Sequence, residues 1–300
     1  MMTKKSIVSP KYYSALSHTF SPMVMNSLIS TGTSRYLAEV IKSSEIIDEM
    51  GCDVTMGEFF ESIYNLIARS HRSEYVYKNA IANKILLGRH SLNTSYMLTE
   101  FRVGNCKADV VILNGTSTVY EIKSEYDSLE RLQNQISAYA EVFDRINVIT
   151  SVSLIPKLEI TLPSEIGLME LTSRNTIRTK REAVSGKHRV RPEIIFGCLR
   201  RAEYLKITEN VFGYVPNVPN TQIYRECQRL FCSLPPEVAH FQMIKVLCQR
   251  KERRILQDFM KDVPPSLRAY FISHRLDADR TIKLNALLRS SLKSVLGRDL

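Results

Sequence analysis

Three hundred residues, 44% of them hydrophobic and 24% charged, are enough to bury two cores, or one core with large additions. That balance excludes a fibrous or low-complexity chain, and no apolar run approaches the roughly 18 residues of a membrane span. The formal net charge of +10 is unevenly placed: residues 173–300 hold twenty-five Lys/Arg against twelve Asp/Glu, residues 73–172 nine against twelve, and residues 1–72 seven of each. A basic C-terminal part beside an acidic stretch suits a polyanion handled through cations, although a solvated basic helical face gives the same count.

The first residues, MMTKKSIVSPKYYSALS, carry no apolar h-region and no small-residue cleavage site, so no secretory leader is expected. Cys52, Cys106, Cys198, Cys227, Cys232 and Cys248 form no CxxC pair and have no histidine spaced for zinc. Reduced thiols in a cytoplasmic protein are the expectation. Residues 1–72 read as short helices, SPMVMNSLIS, TSRYLAEVIKSSEII and GEFFESIYNLIARS, the last with Phe59, Ile63 and Ile67 at helical spacing.

A switch of period follows. SEYVYKNAIANKILLG predicts a helix over 74–87 ended by Gly88, with Glu74 sharing the face of Tyr77, Ile81 and Ile85. Three strand-like runs, YMLTEFRV, KADVVIL and STVYEIK, are joined by short turns at Gly104-Asn105 and Asn114-Gly115, which implies an antiparallel meander. Residues 127–143 read as a helix with Leu129, Leu132, Ile136, Ala140 and Phe143 on one face, and Asp127 with Glu130 resembles a capping box. RINVITSVS and IGLMELT read as strands, so a right-handed parallel crossover is expected. RNTIRTKREAVSGKHRVR (174–191) looks like a basic loop or ribbon, in which Arg178, Lys180 and Arg181 are the foremost candidates for phosphate contacts. From Pro192 the chain turns helical, with VFGYVPNVPN (211–220) as an internal linker and PEVAHFQMIKVLCQRKERRILQDFMKDV as its longest helix. The expected architecture is α/β, a mixed sheet flanked by helices. Its regions are an N-terminal helical one (1–72), a core (73–185) and a basic C-terminal helical one (186–300).

The charges inside the hairpin ADVVILNGTSTVYEIKSEYD carry the chemistry. Alternation puts Glu121 and Lys123 on one face, and pairing around Asn114-Gly115 brings Asp109 close to Glu121. Two carboxylates held together repel, and a divalent cation between them resolves the conflict. Such oxygen ligands suit Mg²⁺ or Mn²⁺ rather than zinc. Lys123 is then placed for a phosphate oxygen or an attacking water. The bland alternative is a surface Glu/Lys ladder with a stray Asp.

Asp109, the EIK of residues 121–123, a preceding helical Glu and the QISAY of residues 135–139 together resemble the PD-(D/E)XK phosphodiesterase superfamily, in its RecB-like branch with a Q-x-x-x-Y element. YVYKNAIANKIL, TEFRV, ADVVILNG and YEIKSE are similar, more narrowly, to a functionally unassigned bacterial family of that superfamily. Ala108 departs from the pattern, standing where the superfamily name has Pro. The resemblance implies a restriction-endonuclease-like core and a Mg²⁺- or Mn²⁺-dependent nuclease acting on DNA in genome defence or DNA processing. It implies Asp109, Glu121, the carbonyl of Ile122 and Glu74 as metal ligands, and Lys123 as the residue that orients or deprotonates the attacking water. Gln135 and Tyr139 would steady the site or contact DNA.

From the residues alone, Glu74 is also explicable as an N-terminal acid favoured by the helix dipole or paired with Lys78. Glu100 and Arg102 share a strand face as a supporting pair or an exposed ladder. The alternative function is a nucleic-acid- or partner-binding module that keeps the fold without turnover, or an effector silent until a partner reaches its helical flanks. No Walker, GxGxxG, GxSxG or HExxH motif is present.

Overall fold

The computed structural model describes residues 8–51, 53–250, 260–274 and 276–296. They fall into two compact units, neither continuous in sequence. One draws on Met1–Asn83, Ser173–Asn175 and Arg253–Leu300, the other on Lys84–Thr172 and Thr176–Glu252. Residues 186–250 thus count with the sheet, and residues 260–274 and 276–296 with the N-terminal helices.

The second unit contains a six-stranded sheet of β1 (Tyr96–Val103), β2 (Cys106–Leu113), β3 (Ser117–Lys123), β4 (Arg145–Thr150), β5 (Gly167–Leu171) and β6 (Ile177–Arg181), paired in that order. The first three are antiparallel, β4 lies parallel to β3, β5 parallel to β4, and β6 antiparallel to β5. This is the mixed α/β architecture the sequence predicts, with its meander and its crossover. Gly115 turns the β2–β3 link at φ +64, a left-handed conformation that a side chain would make costly. The buried runs VVIL and VYEI supply the sheet's centre, as β-branched residues do where both faces are covered.

The helix expected over 127–143 spans only Leu132–Ala140. The Asp127 carboxylate accepts from the N–H and Oγ of Ser124 at 2.8 and 2.7 Å. It therefore closes the preceding turn and caps no helix, which corrects the expected capping box. The basic stretch after 174 is correspondingly part strand: β6 carries its Arg and Lys at the sheet's edge, where charge discourages a further strand from pairing. Helices Pro192–Gly197, Arg201–Phe212, Asn220–Cys232 and Pro236–Leu247 complete the unit. Phe196, Phe231 and Met243 from them join Phe101, Val111, Phe143, Val148 and Leu168 in one core. Each large apolar side chain buried there contributes about 1.5–3 kcal/mol. The long helix expected from Pro236 stops at Leu247, and residues 251–259 lie outside the described residues.

The first unit is helical, as expected. Its central helix Met56–Ser70 begins with a reciprocal capping box: Glu58 accepts from the Thr55 N–H at 2.8 Å, and Thr55 Oγ1 accepts from the Glu58 N–H at 3.2 Å. Phe59, Ile63 and Ile67 are fully buried along one face. Asn79 ties in the C-terminal segment, donating to the Pro265 carbonyl at 2.9 Å and accepting from the Ala269 N–H at 3.0 Å. Cys106, Cys198, Cys227, Cys232 and Cys248 take part in no disulfide among the described residues, and Cys52 lies outside them. Among the described residues no helix is long and apolar enough to cross a membrane.

Candidate active site

At the C-terminal end of β3, Glu121 and Lys123 leave the same face, one residue apart, as strand alternation requires. Both are buried, at 1% and 8% exposure. Lys123 Nζ donates to Glu121 Oε1 at 2.9 Å and to Gln135 Oε1 at 3.0 Å. Gln135 Nε2 donates to Glu121 Oε1 at 2.5 Å, and the Tyr139 hydroxyl donates to Oε2 at 3.0 Å. Gln135 and Tyr139 project from one face of Leu132–Ala140 because they are one turn apart. Tyr139 is no polar edge residue: it is fully buried, with its ring edge-on to Phe143 at 6.4 Å. Glu121, Lys123 and Gln135 thus close a ring of hydrogen bonds, and Tyr139 holds the second carboxylate oxygen from outside it. Taking an ion pair out of water costs several kcal/mol per ion, and the added amide and phenol bonds offset part of that cost.

Burial pushes the Glu121 carboxyl above its usual range, against the opposing pull of Lys123, Tyr139 and Gln135. Tyr139 is raised far more, first by burial and then by the charges of Glu121 and Asp109.

Asp109 arrives by a register that is regular up to its neighbour. β2 and β3 pair from Leu113↔Ser117 to Val110↔Tyr120, and one more step brings Asp109 opposite Glu121. At that step the side chain takes over from the ladder: Asp109 Oδ2 accepts from the Ile122 N–H at 2.8 Å. On its other side, Thr99↔Val110 and Phe101↔Ala108 bracket Glu100, which stands across from Asp109 but drops out of the pairing. Glu100 is held at φ +56, a left-handed conformation costing a non-glycine residue about 1–2 kcal/mol. Carboxylate oxygens of Glu100 and Asp109 lie within 4.8 Å of each other. Lys107 pairs with Glu100. Asp109 and Glu100 offer hard oxygen donors of the kind that Mg²⁺ and Mn²⁺ take.

The remaining sequence candidates are Glu74 and the cations of β6. Glu74 belongs to the first unit, at the opening turn of Glu74–Ile81, and its side chain is 54% exposed and paired with Lys78 Nζ at 2.6 Å. The core-facing position expected for it is occupied by Tyr77 and Ile81; at the first turn no earlier turn covers the side chain. On β6, Arg178 is exposed. Lys180 Nζ lies 3.0 Å from Oε2 of the buried Glu170, and Arg181 Nε donates to the Ile166 carbonyl at 2.8 Å.

Sequence reasoning passed over Glu100 as a neighbour of Asp109. The same count about Gly104-Asn105 that is made about Asn114-Gly115 finds it. It also missed Asp144, 3% exposed, which accepts from the hydroxyls of Thr116 and Ser185 and from the Gly186 N–H at 3.1 Å. Beside it Ser117 Oγ accepts from the Asp144 N–H at 3.0 Å and lies 2.7 Å from His240 Nε2. No local period announces contacts of that kind.

Compared with known proteins, residues 68–270 match the family described as bacteriophage P4 protein cII. Protein cII of Enterobacteria phage P4 is 25% identical over 146 residues, which are 47% of this chain and 54% of that protein. The chain therefore spans about half the length of this curated relative. A solved protein of unknown function from Silicibacter pomeroyi is 22% identical over 31% of this chain and 62% of its own, at a TM-score of 0.26, which is too low to bear on the fold.

Proposed function

We propose that this chain, which belongs to the bacteriophage P4 protein cII family, is a metal-dependent nuclease that hydrolyses phosphodiester bonds of DNA, with a place in genome defence or DNA processing. The observation that carries the reading is the closed set of bonds joining Glu121, Lys123, Gln135 and Tyr139, with Asp109 on the N–H of the intervening Ile122. A solvated Glu/Lys ladder buries neither partner, whereas here both are buried at the end of a parallel strand, where α/β sheets hold their ligands.

Asp109, Glu121 and the carbonyl of Ile122 would hold Mg²⁺ or Mn²⁺, and their all-oxygen donor set fits those ions. When bound, the ion supplies an acidified water and neutralises charge building on phosphorus. Lys123 supplies a fixed positive charge near the attacked phosphate and orients the water. Gln135 accepts from Lys123 while donating to Glu121, so one amide fixes the heads of both residues. Arg178, exposed on β6, would meet a backbone phosphate.

Linear, circular and single-stranded DNA, and RNA, incubated with Mg²⁺ or Mn²⁺ and with chelator, test the reading. Cleavage is expected with metal only. Asp109→Ala and Lys123→Ala should each lower the rate by about 100-fold or more with unchanged circular dichroism. Parental rates from either variant reject the assignment.

A binding module without turnover is the second reading, favoured by Glu121, both of whose oxygens are taken by side chains of the chain itself. Such a module binds DNA equally in Mg²⁺ and in chelator, which calorimetry distinguishes.

A further inference from the structure

β3 and β4 both run out into exposed apolar side chains. Tyr126, just beyond Lys123, is 62% exposed, and Val152, just beyond Thr150, is 64% exposed. Lys123 and Thr150 are direct partners in the parallel ladder, and Thr150 Oγ1 donates to the Lys123 carbonyl at 2.6 Å. The two exposed side chains therefore leave from one tied strand end, the end that holds Lys123.

The segment bearing Tyr126 is fixed. Asp127 Oδ2 accepts from both the N–H and the hydroxyl of Ser124, the Asp127 N–H donates back to the Ser124 carbonyl at 3.2 Å, and the Tyr126 N–H donates to Ser124 Oγ at 3.3 Å. The SEYD turn thus closes on itself and holds the phenol ring outside it. An exposed ring carried on a fixed turn is a stacking surface, since a tyrosine has only two side-chain torsions to lose when a flat partner covers it. Every nucleobase offers a π face, but in a continuous duplex those faces are already stacked; unpaired bases offer them freely.

We infer that Tyr126 stacks on an unpaired nucleobase next to the phosphate presented to Lys123, with Val152 covering the neighbouring sugar or base edge. The substrate class is then single-stranded nucleic acid. The inference rests on the nuclease reading for the phosphate at Lys123.

Fluorescence anisotropy in chelator measures it without turnover, using labelled single-stranded DNA, single-stranded RNA and blunt duplex DNA of one sequence. The unaltered chain should prefer the single strands, and the two single-stranded arms tell which polymer is favoured. Tyr126→Phe should retain that binding, whereas Tyr126→Ala should weaken it about five-fold or more and leave duplex binding unchanged. Single-strand binding unaffected by Tyr126→Ala, or a parental preference for duplex, overturns the inference. If Tyr126→Ala loses single-strand binding while the unaltered chain cuts nothing in Mg²⁺ or Mn²⁺, the nuclease reading fails and the stacking site stands. If the chain cuts and the variant binds single strands normally, the reverse holds.

Discussion

Glu121 and Asp144 are both buried carboxylates of the sheet unit, and their surroundings drive them in opposite directions. Glu121 lies at the C-terminal end of β3 and is held above its usual range, because burial outweighs its partners. Asp144 precedes β4 at the other end of the parallel pair. Burial opposes its ionisation too, but the hydroxyls of Ser185 and Thr116 and the charge of Lys187 outweigh that, and its carboxyl lies below the usual range. A carboxylate satisfied by short neutral donors is a structural strut. One packed against a lysine, an amide and a phenol is still held above its usual range, because burial outweighs all three.

Exchanging the two carboxyls tests that contrast most strongly. Glu121→Gln should reduce DNA cleavage by about 100-fold or more, and it should also lower the urea midpoint, because the buried Lys123 loses its carboxylate. Asp144→Ala should cost about 3 kcal/mol of stability, because it leaves buried donors of Thr116, Ser185 and Gly186 without an acceptor, yet cleavage should persist in whatever fraction stays folded. If cleavage is lost from folded Asp144→Ala and kept in Glu121→Gln, the assignment is inverted.

The pH dependence sharpens the same contrast. Burial beside Ser117 pushes His240 down to about 4, with Lys187 adding to the effect and Asp144 opposing it. The unfolded chain, with a histidine near 6.5, therefore takes up the proton first as pH falls. Stability is full above about pH 6.5 and should decline toward pH 4 by up to about 3 kcal/mol. Asp144, whose folded value is depressed, adds its loss only at more acid pH. Glu121 has the opposite sign, since its raised value costs stability as pH rises through it. Denaturant midpoints at pH 7, 5.5 and 4 measure the slope, and His240→Gln should flatten it.

The smallest expected effect is Tyr139→Phe. It removes the hydroxyl that donates to Glu121 Oε2 and keeps the ring in the core, so the Glu121 carboxyl rises further. The acid limb of the cleavage rate should move to higher pH, by less than about one unit. A shift to lower pH would mean that Glu121 is not the group that titrates.

Much of the sheet was legible in the sequence because a strand's period of two and a glycine turn are local signals. The meander, the crossover and the shared face of Glu121 and Lys123 follow from them. The misreadings share a cause as well. Asp127 reads as a helix cap by spacing, but its carboxylate is spent on the Ser124 turn. Glu74 reads as core-facing by helical phase, but phase does not say whether anything covers a first turn.

The sequence by itself determined that Glu121 and Lys123 share a face and that Asp109 would meet β3 beside Glu121, since both rest on backbone periodicity and one short turn. Tertiary structure decided how that carboxylate is held, by Gln135 and Tyr139 reaching across from a helix and Lys123 closing the ring. It also decided that Glu100 is forced into a left-handed conformation across from Asp109, and that Asp144 is locked by Thr116, Ser185 and Gly186. Those partners lie far apart in the chain, and burial and packing bring them together.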